Sequence, residues 1–146
     1  MLTTSELYDA AALATLIASA TDLGADLKVG LNLAVVSPTK KLVVGDMVEP
    51  TFTSYARTAV VMGAPFRDDA NGICSLGGPV TFQMTGTPVP CLVQGIFFMS
   101  GTTSAVFMGY EPLAVPFQMN DDLDQLTLTL QYIQSSLRQG FNIVIT

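Results

Sequence analysis

The stretch Ala70–Tyr110 reads ANGICSLGGPVTFQMTGTPVPCLVQGIFFMSGTTSAVFMGY, and its reading decides the fold. From Ala70 to Tyr110 there is no Lys, Arg, Asp, Glu or His. Three segments of strand character lie inside it, Val80–Thr85, Cys91–Met99 and Ser104–Tyr110. Gly86-Thr87-Pro88 and Ser100-Gly101-Thr102 separate them, and such clusters are turn chemistry between β-prone runs. A sheet with one wet face shows polar residues at alternate positions. Instead Ile96, Phe97, Phe98 and Met99 are consecutive, as are Ala105, Val106, Phe107 and Met108, so apolar side chains point to both faces. Two readings follow. Either the sheet is covered on both sides within one domain, or a second copy of the chain covers one side. The second makes Phe97, Phe98, Phe107 and Met108 candidate subunit-interface residues.

The flanking sequence supplies the rest of a mainly β chain. Thr3-x-x-Glu6 has capping-box spacing, and Leu7, Ala10, Ala11, Leu13, Ala14 and Ile17 follow at helical intervals. One helix is predicted from about Thr4 to Ala20, ended near Gly24. Leu27, Val29, Leu31, Leu33 and Val35 then alternate with Lys28, Gly30, Asn32 and Ala34, the clearest strand pattern in the sequence. Ser37–Lys41 turns the chain, Leu42–Val44 is a short run, and Thr51–Val61 predicts a strand in its second half, after a bend at Tyr55-Ala56-Arg57. Asn71-Gly72 is a hairpin signal, and Gly77-Gly78-Pro79 opens the next strand. Pro116 places Leu113–Met119 at an edge or bend. Leu126, Leu128, Leu130 and Tyr132 alternate with polar residues, and Phe141–Ile145 is a short β-prone tail, a candidate for strand addition to a neighbour if it is unpaired within the subunit. One helix followed by short strands predicts a single domain over residues 1–146: an antiparallel β-sandwich, with a jelly roll as the candidate arrangement.

Composition narrows the function. Charged residues make up 12% of the chain, about half the usual share, so polar cover for a monomer is scarce. Assembly, or a surface of Thr, Ser, Gln and Asn, would supply it. Six Lys and Arg against twelve Asp and Glu give a net charge of −6, with Lys40-Lys41 the adjacent basic pair, which argues against a nucleic-acid partner. No apolar run reaches the length of a membrane span, and Ala10–Ala20 lacks the basic lead of a secretory signal, so no membrane partner is expected. Two cysteines, Cys74 and Cys91, each sit beside a turn signal, so a bridge between them is conceivable, but free buried thiols are the expectation.

Catalytic constellations are missing from the residue inventory. A chain without histidine has no Ser-His-Asp or Cys-His arrangement, and two cysteines cannot close a zinc shell. Asp68-Asp69 and Asp121-Asp122 are paired carboxylates in turn-rich loops, read first as solvated turn residues and only second as hydrolytic groups. Asn120, Asp122 and Asp124 have calcium-loop spacing without the required glycine and distal glutamate. No enzyme activity, cofactor or metal is expected. A binding module remains the alternative, with Tyr55, Arg67, Asp68 and Tyr110 as candidate contacts to a receptor or glycan, since a sugar needs a ring to stack on and planar hydrogen-bonding partners.

The order of segments adds a resemblance. The strand at Leu27–Val35, the segment Phe52-Thr53-Ser54-Tyr55-Ala56-Arg57, the run Gly77–Gly86 (GGPVTFQMTG), a hydrophobic hairpin, and Pro116-Phe117-Gln118-Met119-Asn120-Asp121-Asp122 before Leu126-Thr127-Leu128-Thr129 follow one another. This order, over roughly Leu27 to Tyr132, resembles small structural proteins of tailed bacteriophages and related viruses, the capsid decoration and fibre-associated subunits. The resemblance implies a β-sandwich without catalytic chemistry, made in the host cytoplasm and assembled with itself and other virion proteins on the virion, or a receptor- or glycan-binding part of a fibre or tail. It assigns no functional residue.

Overall fold

The computed structural model describes residues 2–18, 26–37, 41–70, 72–100, 106–135 and 139–145. The expected helix end at Ala20 and Gly24, the turn residues 38–40, Asn71, the separator residues Gly101 and Thr102, and the first residues of the expected strand, Ser104 and Ala105, lie outside them. Helix α1 spans Thr4–Ala18. Its start is the predicted capping box: the Thr3 N–H donates to Glu6 Oε2 at 2.7 Å and the Glu6 N–H to Thr3 Oγ1 at 3.2 Å. The Thr3 amide holds the Glu6 carboxyl below its ordinary value. Only Leu13 of the helix is wholly buried, and Leu7 and Tyr8 are exposed, so the alanine-rich stripe packs more shallowly on the sheet than its breadth suggests.

Among the described residues eight strands follow: β1 Lys28–Asn32, β2 Thr58–Ala59, β3 Phe66–Asp68, β4 Gly72–Gln83, β5 Cys91–Ser100, β6 Val106–Met119, β7 Gln125–Gln134 and β8 Gln139–Ile145. They form two four-stranded sheets, β2-β1-β5-β6 and β3-β4-β7-β8, antiparallel at every pairing. The chain is therefore the expected antiparallel β-sandwich with one N-terminal helix. Successive strands are dealt in pairs to alternate sheets, and β1 and β8 lie in different sheets, so the jelly-roll order is not seen.

The core lies between the sheets. Val29, Leu31, Ile96 and Phe98 face Val80, Phe82, Leu126, Leu128 and Leu130, and all are buried. Several elements differ from their sequence patterns for local reasons. β1 stops at Asn32 because the Asn32 side chain donates to the Ala34 carbonyl and accepts the Ala34 N–H, an Asx turn that ends the extended run before Leu33 and Val35. Leu42–Val44 runs into a turn of 3-10 helix, Val44–Asp46. Gly77-Gly78-Pro79 does not open a strand; it forms a register break inside β4, between Gly77 and Val80. The two runs around Pro112 and Pro116 merge into β6, which tolerates both prolines because it is an edge strand. The tail is paired inside the subunit, against β7 from Gln134↔Gln139 to Leu128↔Ile145.

Candidate functional site

The polar feature of the sandwich is built on the free edge of β1. Beyond β2, which pairs only Lys28 and Val29, the segment after Val44–Asp46 runs alongside β1 and fills its edge with individual groups. The Leu31 N–H donates to the Tyr55 hydroxyl at 3.0 Å, the Leu33 N–H to the Val48 carbonyl at 2.7 Å, and the Val48 N–H to Asn32 Oδ1 at 2.9 Å. The Tyr55 hydroxyl in turn donates to Glu49 Oε1 at 2.7 Å. Arg57 then closes on both Glu49 oxygens, Nε to Oε1 at 3.1 Å and Nη2 to Oε2 at 3.0 Å. One carboxylate thus receives three hydrogen bonds.

That geometry sets the charges. Burial pushes the Glu49 carboxyl up, but the hydrogen bonds from Arg57 and Tyr55 outweigh it and hold it below its ordinary value. Burial and the hydrogen bond to Glu49 push the Tyr55 phenol well above its ordinary value, so it stays a donor. The ring of Tyr55 is fixed from behind by Phe52, edge-on at 5.7 Å, and by Phe82, stacked at 6.0 Å. A phenol locked this way seals an edge and is a poor proton carrier.

The same cluster covers the outer face of the sheet. Ile96 and Phe98 point into the core, so Phe97 between them points away from it. Its ring lies across Gly30, where a side chain would collide, and the Arg57 guanidinium sits over it, 5.4 Å from the centroid. On the neighbouring strand pair Tyr110 lies across Gly95 in the same manner. These are aromatic rings filling the space left by strand glycines.

The sequence-predicted interface residues therefore separate into two groups. Phe97 and Phe98 are buried inside a single subunit, at 0% and 1% exposure, which corrects their assignment as contacts to a neighbour: Gly30 and Arg57 enclose one, and Phe141, stacked at 4.1 Å, encloses the other. From Gly95 to Ser100 both faces of β5 are closed by the chain itself. Phe107 and Met108, on β6, are half-buried.

The four candidate ligand contacts are not gathered in one place. Tyr55 belongs to the β1 edge, and Tyr110 to β6. Arg67 and Asp68 lie on β3 in the other sheet, where Arg67 meets Glu6 at 3.2 Å and Asp69 at 3.7 Å. Asp68 accepts the Ala70 N–H at 2.8 Å and Gln131 Nε2 at 3.2 Å. The loop aspartates likewise serve the backbone: Asp124 accepts the Asn120 and Asp121 N–H groups, which lower its pKa, and Asp122 accepts the Gly86 N–H. Cys74 and Cys91 are free thiols, and burial pushes the Cys91 thiol up. Among the described residues no cluster of three or more His, Cys, Asp or Glu side chains is placed to hold a metal, and no helix is long and apolar enough to cross a membrane. Glu49 and Arg57 were not singled out from the sequence. The available signal was a glutamate and an arginine flanking an aromatic segment in a chain that has few charges.

The opposite side of the sandwich ends in β6 and β8. Val106 and Val115 on β6 and Val144 and Ile145 on β8 are exposed. An opening of about 260 Å³ lies between the two strands, bordered by Phe98, Met108, Gly109, Gly140 and Phe141. Compared with protein-family models, curated proteins and solved structures, the chain matches none.

Proposed function

We propose that this chain is a non-catalytic structural subunit that assembles with copies of itself. Following the resemblance in segment order, we place it on a virus particle, as a capsid decoration or appendage subunit in contact with other virion proteins. The observation that carries the reading is the contrast between strand edges: hydrogen bonds from the Val48 and Tyr55 segment cover the β1 edge, though Val48 and Val61 beside it are exposed, whereas β6 and β8 are edge strands that expose valines and an isoleucine and carry one charge, Glu111, between them. Exposed apolar edge strands are pairing surfaces, and a chain with 12% charged residues has little else to protect them. Sedimentation velocity across micromolar concentrations tests it. A defined oligomer that persists at high salt is expected, because apolar and backbone contacts are not screened as ion pairs are. A monomer at every concentration would overturn the proposal, and negative-stain images of the same material would show whether the oligomer is a ring, fibre or shell.

A further inference from the structure

We infer that β8 is the assembly edge, pairing antiparallel with β8 of a second copy about a two-fold axis and joining two four-stranded sheets into one. This rests on the self-assembly proposed above and names the surface that performs it.

Each sheet has two edges, and three of the four carry a recognisable guard. At the first, β2 is two residues long and the β1 edge beyond it is filled by Tyr55, Val48 and Asn32. At the second, β3 is three residues long, contains Arg67 and Asp68, and is tied to α1 through Glu6. At the third, β6 contains Pro112, Pro116 and Glu111, and its register breaks twice against β5, at Val93/Gly95 and at Phe98/Met99. Short length, charge, proline and bulges are the devices that keep sheet edges from pairing. β8 has none of them. Gln139–Ile145 contains no charge and no proline, and it pairs β7 without a register break.

Charge selects the occupant. With a net charge of −6, two copies repel unless they meet through a patch free of carboxylates. β7 and β8 together contain no charged residue, with Asp124 preceding β7 and the cation Arg138 preceding β8 in sequence, whereas β3 contains Asp68 with Asp69 following it and β6 contains Glu111. The edge best matched to β8 is therefore another β8. Centred on Asn142, the pairing sets Phe141 opposite Ile143 on the core-facing side and Gly140 opposite Val144 on the outer side, a small residue against a branched one. An isologous contact of this kind closes on itself as a dimer and does not run on as a fibre.

The test uses the full chain in a Cys91→Ser background. Asn142→Cys should give a disulfide-linked dimer on mild oxidation, since residues facing across an antiparallel pair have Cα atoms about 4.5 to 5.5 Å apart, within disulfide reach. Val144→Lys, an edge lysine on an exposed side chain, should shift dissociation about tenfold or more to higher concentration, while Val115→Lys on β6 should leave it unchanged. Far-UV circular dichroism of each variant verifies that the fold is intact. If the parent chain assembles but Val144→Lys does not weaken it and Asn142→Cys does not cross-link, the β8 assignment is overturned and self-assembly stands. Weakening by Val115→Lys in place of Val144→Lys would also overturn it, in favour of β6. A parent chain that stays monomeric would overturn both.

Discussion

The two sides of this sandwich solve the same problem in opposite ways. Along the β1 edge the Leu31 and Leu33 N–H groups are matched by the Tyr55 hydroxyl and the Val48 carbonyl, the Asn32 side chain accepts the Val48 N–H in return, and a single carboxylate, Glu49, holds the arrangement by accepting from Tyr55 and twice from Arg57. Beside β6 and β8 the tie between the sheets is aromatic, the face-to-face stack of Phe98 on Phe141 with Tyr132 set edge-on to Phe141 at 5.0 Å. A polar seal is directional and occupies the Leu31 and Leu33 donors that a partner strand would use. An apolar tie holds the sheets together yet leaves the strand edge beside it ungoverned. Sealing and openness thus follow from which kind of bond closes each side.

Breaking the aromatic tie should have the largest effect. Phe98→Ala removes a wholly buried ring that links β5 to β8, and it should cost about 3 to 5 kcal/mol in urea unfolding, the range for large-to-small core changes. A loss below about 1 kcal/mol would mean that the open side is held by something other than this stack.

The two glycine–aromatic contacts sharpen the same contrast at smaller scale. A Cβ at Gly30 would strike the ring of Phe97, which is wholly buried with Arg57 above it and has nowhere to turn. Gly30→Ala should destabilise by about 2 kcal/mol, as overpacking of a closed site does. A Cβ at Gly95 meets Tyr110, whose half-exposed ring borders an opening of about 400 Å³ lined also by Val36, Leu42 and Pro112. That ring can swing aside, so Gly95→Ala should cost clearly less, by the same unfolding measurement. Equal losses would show that the outer face is as rigid at Tyr110 as at Phe97.

The elements were legible where the signal is local. The Thr3/Glu6 capping box, the alternation of β7 and the uncharged run at β5 could be read from neighbouring residues. The misreadings arose where distant groups decide. β1 looks longer in sequence because nothing in the alternation shows that the Asn32 side chain will bond to Ala34 and Val48. Phe97 looks like an interface residue because its cover, Gly30 on another strand and Arg57 on a loop, is assembled only by the fold. Tyr55 reads as a sugar contact because it offers a ring to stack on, yet its hydroxyl is committed to Leu31 and Glu49. Single residues of this kind carry no periodicity, so pattern reading passes over them.

The smallest effect isolates the polar seal by pH. Because the folded Glu49 carboxyl titrates below its ordinary value of 4.5, the native state binds fewer protons there than the unfolded chain, and stability rises with pH across that window. The contribution is complete above the ordinary carboxylate range and is lost as pH falls through the lowered folded value. Glu6 and Asp124 are lowered too and add slopes of the same sign, but both are held by backbone amides away from the β1 edge, so their share persists when Glu49 is changed. The difference between the parent chain and Glu49→Gln, followed by urea midpoints from about pH 6 down to about pH 3, therefore reports the seal alone. The parent should lose its advantage over Glu49→Gln as acid protonates Glu49, and exchange of the Leu31 amide should quicken over the same range, since its acceptor is the hydroxyl that Glu49 holds in place. Parallel midpoint curves for the two proteins would mean that the edge is closed by packing of the Tyr55 ring on Phe52 and Phe82, with the carboxylate a bystander.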